Sequence, residues 1–281
     1  MTAVGLIATV GVLLVSWCDT RVMDDQETAN VDILERDGYA CVRCEARLDP
    51  DGTAERHVVT VASPAVETPG ADEPLQMVQA SVCQPCRDRL RGEDPPWLDD
   101  QQDLADCLLA FLRDLTTAQG GTVAAVAAFA TDATTGIESD DRQTYLAMRR
   151  RVHVSLTYVE RTLDAAELEL ATLGEAVTDE FEAVCALATD LHAELVAVTE
   201  LTETVVASAG ACHACLEPCE DTASCGRCGA PVHETASWQT EDGISMGALY
   251  GSVNDRLDTA SATTGELTER TTALASALVG D

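Results

Sequence analysis

Eight of the twelve cysteines fall into four C-x-x-C pairs: Cys41/Cys44, Cys83/Cys86, Cys212/Cys215 and Cys225/Cys228. Two such pairs supply the four thiolates of one tetrahedral zinc site, so the spacing predicts two structural Zn²⁺ ions rather than a disulfide framework. This requirement constrains the fold more than any hydropathy pattern, because segments up to 39 residues apart must meet at a single ion. The last two pairs read C-x2-C-x9-C-x2-C, a zinc ribbon over 210–235, with Gly226 and Gly229 where a tight knuckle needs them. His213, Cys219 and His233 are alternate ligands beside it, Cys107 belongs to an apolar helix face, and Cys18 and Cys185 complete the count. Thiolate sites of this kind favour a reducing compartment.

The charge is the second constraint. Seventeen basic residues, all arginine, face 49 acidic ones for a net of −32, and aromatic residues are only 4%. Self-repulsion of that size weakens a compact state at ordinary ionic strength, but molar salt shortens the Debye length to about 3 Å and screens it. The composition resembles that of proteins from halophilic archaea. Global acidity is then a solubility device and does not exclude a nucleic-acid partner. With 46% hydrophobic residues, wholesale disorder is excluded.

Residues 1–22 form an apolar segment, uncharged up to Cys18. It reads either as a membrane anchor or, with translation starting at Met23, as a start-site artefact, and it lacks the basic flank of a signal peptide. With Arg21 as the first cation, either reading leaves the zinc modules in the cytoplasm.

Residues 31–92 form the first cysteine module. Asp37-Gly38 and Asp49-Pro50-Asp51-Gly52 are turn signals, His57 to Val61 is a β-branched strand, and a helix is expected from about Pro85 to Arg91. The order is strand, turn, strand, loop, helix around one zinc. That order, with ERDGYACVRC, RHVV and CQPCRDRL, resembles the HNH endonuclease family and its zinc-stapled ββα-metal fold. The resemblance implies His57 as general base, activating water beside a catalytic divalent metal. Here Arg56 and Arg87 occupy the positions of metal donors, and guanidinium neither ligates nor loses its proton. The resemblance therefore implies a hydrolytically dead site, unless Asp51, Glu55 or Asp88 supplies carboxylates and the enzyme is an active endonuclease. Guanidinium forks also match phosphate oxygens, so Arg56, Arg87, Arg89 and Arg91 are the expected phosphate-binding residues, DNA being preferred to RNA as partner. Residues 36–91 hold seven arginines against nine acids, a net of −2, which leaves −30 for the remainder.

Beyond a Pro95-Pro96 linker, residues 93–140 are expected to hold short helices, the first ended by Gly120-Gly121. From 141 to 209 apolar residues recur every seven positions: Leu156, Leu163, Leu170, Val177, Val184, Leu191, Val198 and Val205. A partner row is interrupted by Glu180 and Glu194. The period predicts one coiled-coil helix about 100 Å long, an arm whose proximal half pairs in a homodimer or is covered by the preceding helices. A return helix over 244–279, stapled by the ribbon, folds back on the distal half. The fold class is α+β: a small zinc-stapled module, then a mainly α-helical region with an inserted zinc ribbon. Three functions follow, in order: a non-hydrolytic binder of nucleic-acid phosphates, an active nuclease, and a zinc and coiled-coil protein–protein scaffold.

Overall fold

The computed structural model describes residues 31–48, 56–62, 77–93, 103–135, 142–166, 175–219, 224–241 and 243–279. The calls on residues 1–22, on the 49–52 turn, on Asp51 and Glu55, on Pro95-Pro96 and on Leu170 lie outside them. Six α-helices, one 3-10 turn (Ala236–Trp238) and two small sheets make up the regular structure of the described residues: α1 (Val31–Arg36), β1 (Arg56–Ala62), β2 (Met77–Cys83), α2 (Gln84–Leu90), α3 (Leu104–Thr135), α4 (Arg142–Asp164), α5 (Glu175–Ser208), β3 (Gln239–Thr240), β4 (Gly243–Ile244) and α6 (Met246–Val279). The described chain is mostly helical. No helix among the described residues is long and apolar enough to cross a membrane.

Four long helices carry the main core. Leu108, Phe111, Leu115, Val126 and Phe129 of α3 are buried against Tyr145, Val152 and Leu156 of α4 and Val184, Leu191 and Leu195 of α5. Pairs across the helices fix their directions. Phe129 stacks on Tyr145 at 5.2 Å while Tyr158 Oη donates to Asp114, so α4 runs antiparallel to α3. Phe111 meets Phe181 at 5.5 Å and Gln119 Nε2 donates to the Ala188 carbonyl, so α5 runs parallel to α3.

Two expectations change here. The 141–209 segment is not one arm: Arg149 of α4 bonds to Glu203 of α5, which a continuous helix would hold about 80 Å apart. A seven-residue repeat reports that a face is buried, and two successive helices in phase leave the same trace as one. In the proximal half, expected to pair two chains or to be covered by the preceding helices, Leu156 has no exposed surface and shares its core with α3. Gly120-Gly121 does not end its helix. α3 runs through both glycines for 32 residues because apolar faces on either side of them are buried together.

The return helix forms as read. Glu180 and Glu194, the interruptions in the repeat, accept bonds from Arg270 and Arg256 of α6 at 2.9 and 2.8 Å. Both pairs are fourteen residues apart on both helices, which fixes α5 and α6 as an antiparallel hairpin in register over two heptads.

In the first module a second strand, β2, stands at the end of the stretch that the sequence assigns to loop. It pairs antiparallel with β1, His57 opposite Val82 and Val59 opposite Ala80, and runs directly into α2. The inner face of this hairpin, with Leu34, Leu48 and Leu90, shares a second core with Val154, Tyr158 and Val159 of α4 and Ala118 of α3. Residues 152–159 are consequently buried eight in a row. α4 has the module on one side and its sister helices on the other.

Candidate metal centres

Three of the four C-x-x-C pairs are built by the same loop. In each, the first cysteine donates its N–H to the carbonyl five residues on: Cys41 to Ala46, Cys212 to Glu217 and Cys225 to Ala230, at 2.7–2.8 Å. The N–H four residues on returns to the cysteine's carbonyl, from Glu45, Leu216 and Gly229. That fourth residue takes positive φ in every case, at 61°, 57° and 75°. Only the third loop puts glycine there, so the other two carry the strain of a side chain in the left-handed region. The remaining pair differs. Cys83 ends β2 as the N-cap of α2 and Cys86 lies in its first turn, with Pro85 between them at a position that needs no N–H.

Cys41, Cys44, Cys83 and Cys86 converge, as do Cys212, Cys215, Cys225 and Cys228, with all sulfurs of a set within 4.8 Å of one another. Cys44 and Cys83 are 3.6 Å apart, Cys212 and Cys228 3.6 Å, and Cys215 and Cys225 3.7 Å. Sulfurs about 2.3 Å from one tetrahedral ion stand about 3.8 Å apart, whereas a disulfide needs about 2.05 Å. The tetrads are thus compatible with two structural Zn²⁺ ions, and none of the eight cysteines is in a disulfide. The thiols of the second set split: the backbone N–H groups of Cys228 and then Arg227 push that of Cys225 down to about 6, whereas burial raises those of Cys212 and Cys215. The Cys83 and Cys86 thiols likewise lower that of Cys41. Thiolate is the form a metal takes.

The arginines do not assemble as the sequence suggests. α2 spans residues 84–90, so Arg87 and Arg89 fall in its last turn, and there the helix dipole favours their positive charge and not an anion. Arg89 is buried and faces Asp114 of α3 at 3.7 Å, which removes it from any phosphate surface. Arg87 binds Asp88 through Nε at 2.9 Å and Nη2 at 2.7 Å, and its Nη1 lies 3.1 Å from His57 Nδ1 and 3.3 Å from Nε2. The position after Cys86 does come beside the imidazole, and it brings a guanidinium. Gln84 closes the group, Oε1 against His57 Nε2 and Nε2 donating to both Asp88 oxygens. Arg56 and Arg91 are half-buried.

Other arginines lock the module to the helices. Arg43 lies 3.3 Å over the Tyr158 ring. Arg150 and Arg151 of α4 pair with Asp37 and Glu45 at 3.4 and 2.5 Å. Asp37 is the hub: it also accepts from Arg36 Nε and from the N–H and hydroxyl of Ser81. Burial opposes its charge, yet Arg36, Ser81 and Arg150 together hold the carboxyl below its usual range. At least ten of the seventeen arginines pair with an acid.

The ribbon caps one end of the helices. Tyr145 Oη donates to the His213 carbonyl at 2.9 Å, and Arg142 to the Cys215 carbonyl and Glu217. Beneath it His213 and His233, two of the alternates the sequence gives, meet Glu203, and the ligand atoms of the three all lie within 4.8 Å of one another. Glu203 escapes a sequence reading because it looks like one more acid on an acidic helix. Its burial, with side-chain exposure of 2%, is a tertiary fact.

Comparison with family models, with curated proteins and with solved structures gives no match to this chain.

Proposed function

We propose that this chain is a zinc-stapled scaffold for protein–protein contact, built at its N-terminal module on an HNH-like ββα plan and without hydrolytic activity. One observation carries the reading: the Arg87 guanidinium stands 3.1 Å from the His57 imidazole. A catalytic cation there would need oxygen or imidazole donors where permanent positive charge sits, and the nearby Asp88 already serves Arg87 and Gln84. Two closed four-thiolate sites are structural in type, since a catalytic zinc keeps a position open. Engagement of the arginines within the fold supports the same reading.

Phosphate binding is the second reading, narrowed to Arg56, Arg87 and Arg91. Arg87 and Arg91 are four residues apart on α2 and its C-cap, and half-buried on a shared face. Magnitudes weigh against it. Three phosphate contacts give a salt slope near −2.7, a loss of about 500-fold between about 0.2 and 2 M salt. At low salt, a net charge of −32 repels the polyanion instead.

The test uses the full chain, because α4 completes the module's core. Supercoiled DNA incubated with Mg²⁺ or Mn²⁺ is expected to remain unnicked, and nicking abolished by His57→Ala would overturn the proposal in favour of the nuclease. Salt-dependent DNA retention that falls in an Arg56→Glu/Arg91→Glu double variant would establish the phosphate reading.

A further inference from the structure

Four polar side chains from three parts of the chain meet on one buried carboxylate. Glu203 of α5 accepts Arg149 Nε at 2.6 Å and His153 Nε2 at 2.9 Å on Oε1, both from α4. Its Oε2 is 3.0 Å from Nε2 of His233, beyond the second knuckle, and 3.9 Å from Nε2 of His213, inside the first. The two histidine rings sit edge to face, centroids 4.4 Å apart.

His213 supplies the independent observation. Its side chain is 1% exposed, yet Nε2 has no hydrogen-bond partner. A buried polar nitrogen left unsatisfied costs about 1–3 kcal/mol, so proteins rarely leave one. Here the orphan nitrogen stands beside a carboxylate oxygen and a second imidazole nitrogen.

We propose that Glu203 Oε2, His213 Nε2 and His233 Nε2 form a third metal site, distinct from the two cysteine tetrads, for a divalent first-row transition ion such as Zn²⁺. Donors about 2.0–2.2 Å from a tetrahedral ion stand about 3.3–3.6 Å apart, and the 3.0 and 3.9 Å separations bracket that range. The mixed imidazole and carboxylate set suits such an ion better than Ca²⁺ or Mg²⁺, which take oxygen. Arg149 and His153 hold the other carboxylate oxygen and so fix its direction, as groups behind a metal ligand do.

Charge closes as well. A zinc ion with four thiolates carries −2, and Cys212 of that set adjoins His213; with Glu203 and Arg149 the neighbourhood sums to −2, which one divalent ion neutralises. This step rests on the ribbon zinc. Three protein ligands leave one position for water or an outside ligand, on the side where the His233 side chain is 22% exposed.

The test is metal stoichiometry of the full chain, by native mass spectrometry after zinc loading and by titration of the metal-free chain with Co²⁺. Thiolate ligands give cobalt an intense sulfur-to-metal charge-transfer band, whereas an imidazole and carboxylate site adds only weak ligand-field absorption. The expected result is three ions per chain: two equivalents that raise the charge-transfer band and a third that does not. His233→Ala, at the exposed side, should bind two with the charge-transfer band intact. A wild-type stoichiometry of two overturns the proposal whatever the variants do, as does a third ion that persists in both His233→Ala and Glu203→Gln. Neither result bears on the nicking assay, so this inference and the scaffold reading fail separately.

Discussion

Replacing Gly120 and Gly121 by alanine, singly and together, should stabilise the protein. If these residues ended a helix, one would sit in the left-handed region and alanine would cost about 1 kcal/mol or more. Within a continuous α3 the sign reverses. Both glycines are exposed, neither has positive φ, and a Cβ built on either meets nothing within 4 Å. Each change should then gain the interior helix difference of about 0.8–1.0 kcal/mol, part of it by restricting the unfolded chain. The two side chains point about 100° apart around the helix, so the gains should nearly add, to about 1.6–2 kcal/mol. At about 2–4 °C per kcal/mol, the double variant should melt about 3–8 °C higher. The assay is thermal unfolding followed by circular dichroism, at one fixed molar salt concentration and with zinc in excess, so that metal loss and charge screening are equal across the set. A midpoint unchanged or lowered in Gly120→Ala/Gly121→Ala would refute the reasoning that burial on both sides carries α3 through the pair.

Burial pushes the His192 imidazole down to about 4, and its Nδ1 has no hydrogen-bond partner. The unfolded chain takes up that proton near pH 6.5 and the folded one only near 4, so stability present above 6.5 is lost as pH falls through the window between them. From about pH 7.5 to about pH 5, wild type should lose about 2 kcal/mol more than His192→Leu in urea titrations; equal slopes would show that the imidazole is protonated in the fold. Cys83→Ser and Cys225→Ser should each remove one thiolate-bound ion and leave the other, read by cobalt charge-transfer intensity. Loss of both from one substitution would mean that the two tetrads are not independent.

Local chemistry was legible in the sequence and the topology only in part. The spacing of eight cysteines identified both tetrads because ligand geometry is short-range, and the 56–62 strand and the 84–90 helix lie within two residues of their expected bounds. Glu180 and Glu194 look like defects in a repeat until α6 brings Arg270 and Arg256 to them. The reversal between α4 and α5 was invisible for the reason that made the repeat so regular: both helices bury the same phase. Sequence gives the charge of an arginine and not its partner, so the inward turn of Arg89 to Asp114 is not legible in it. The spacing offers His213 and His233 as spare ligands of the ribbon, but the carboxylate that unites them comes from α5.

The eight-residue buried run of α4, from Val152 to Val159, has a bearing on how the molecule assembles. With no water-facing side, this segment leaves hydrocarbon wet until both neighbours have docked. Closure of the hairpin side and of the helical side on α4 is therefore energetically coupled, because each covers surface that the other leaves in water.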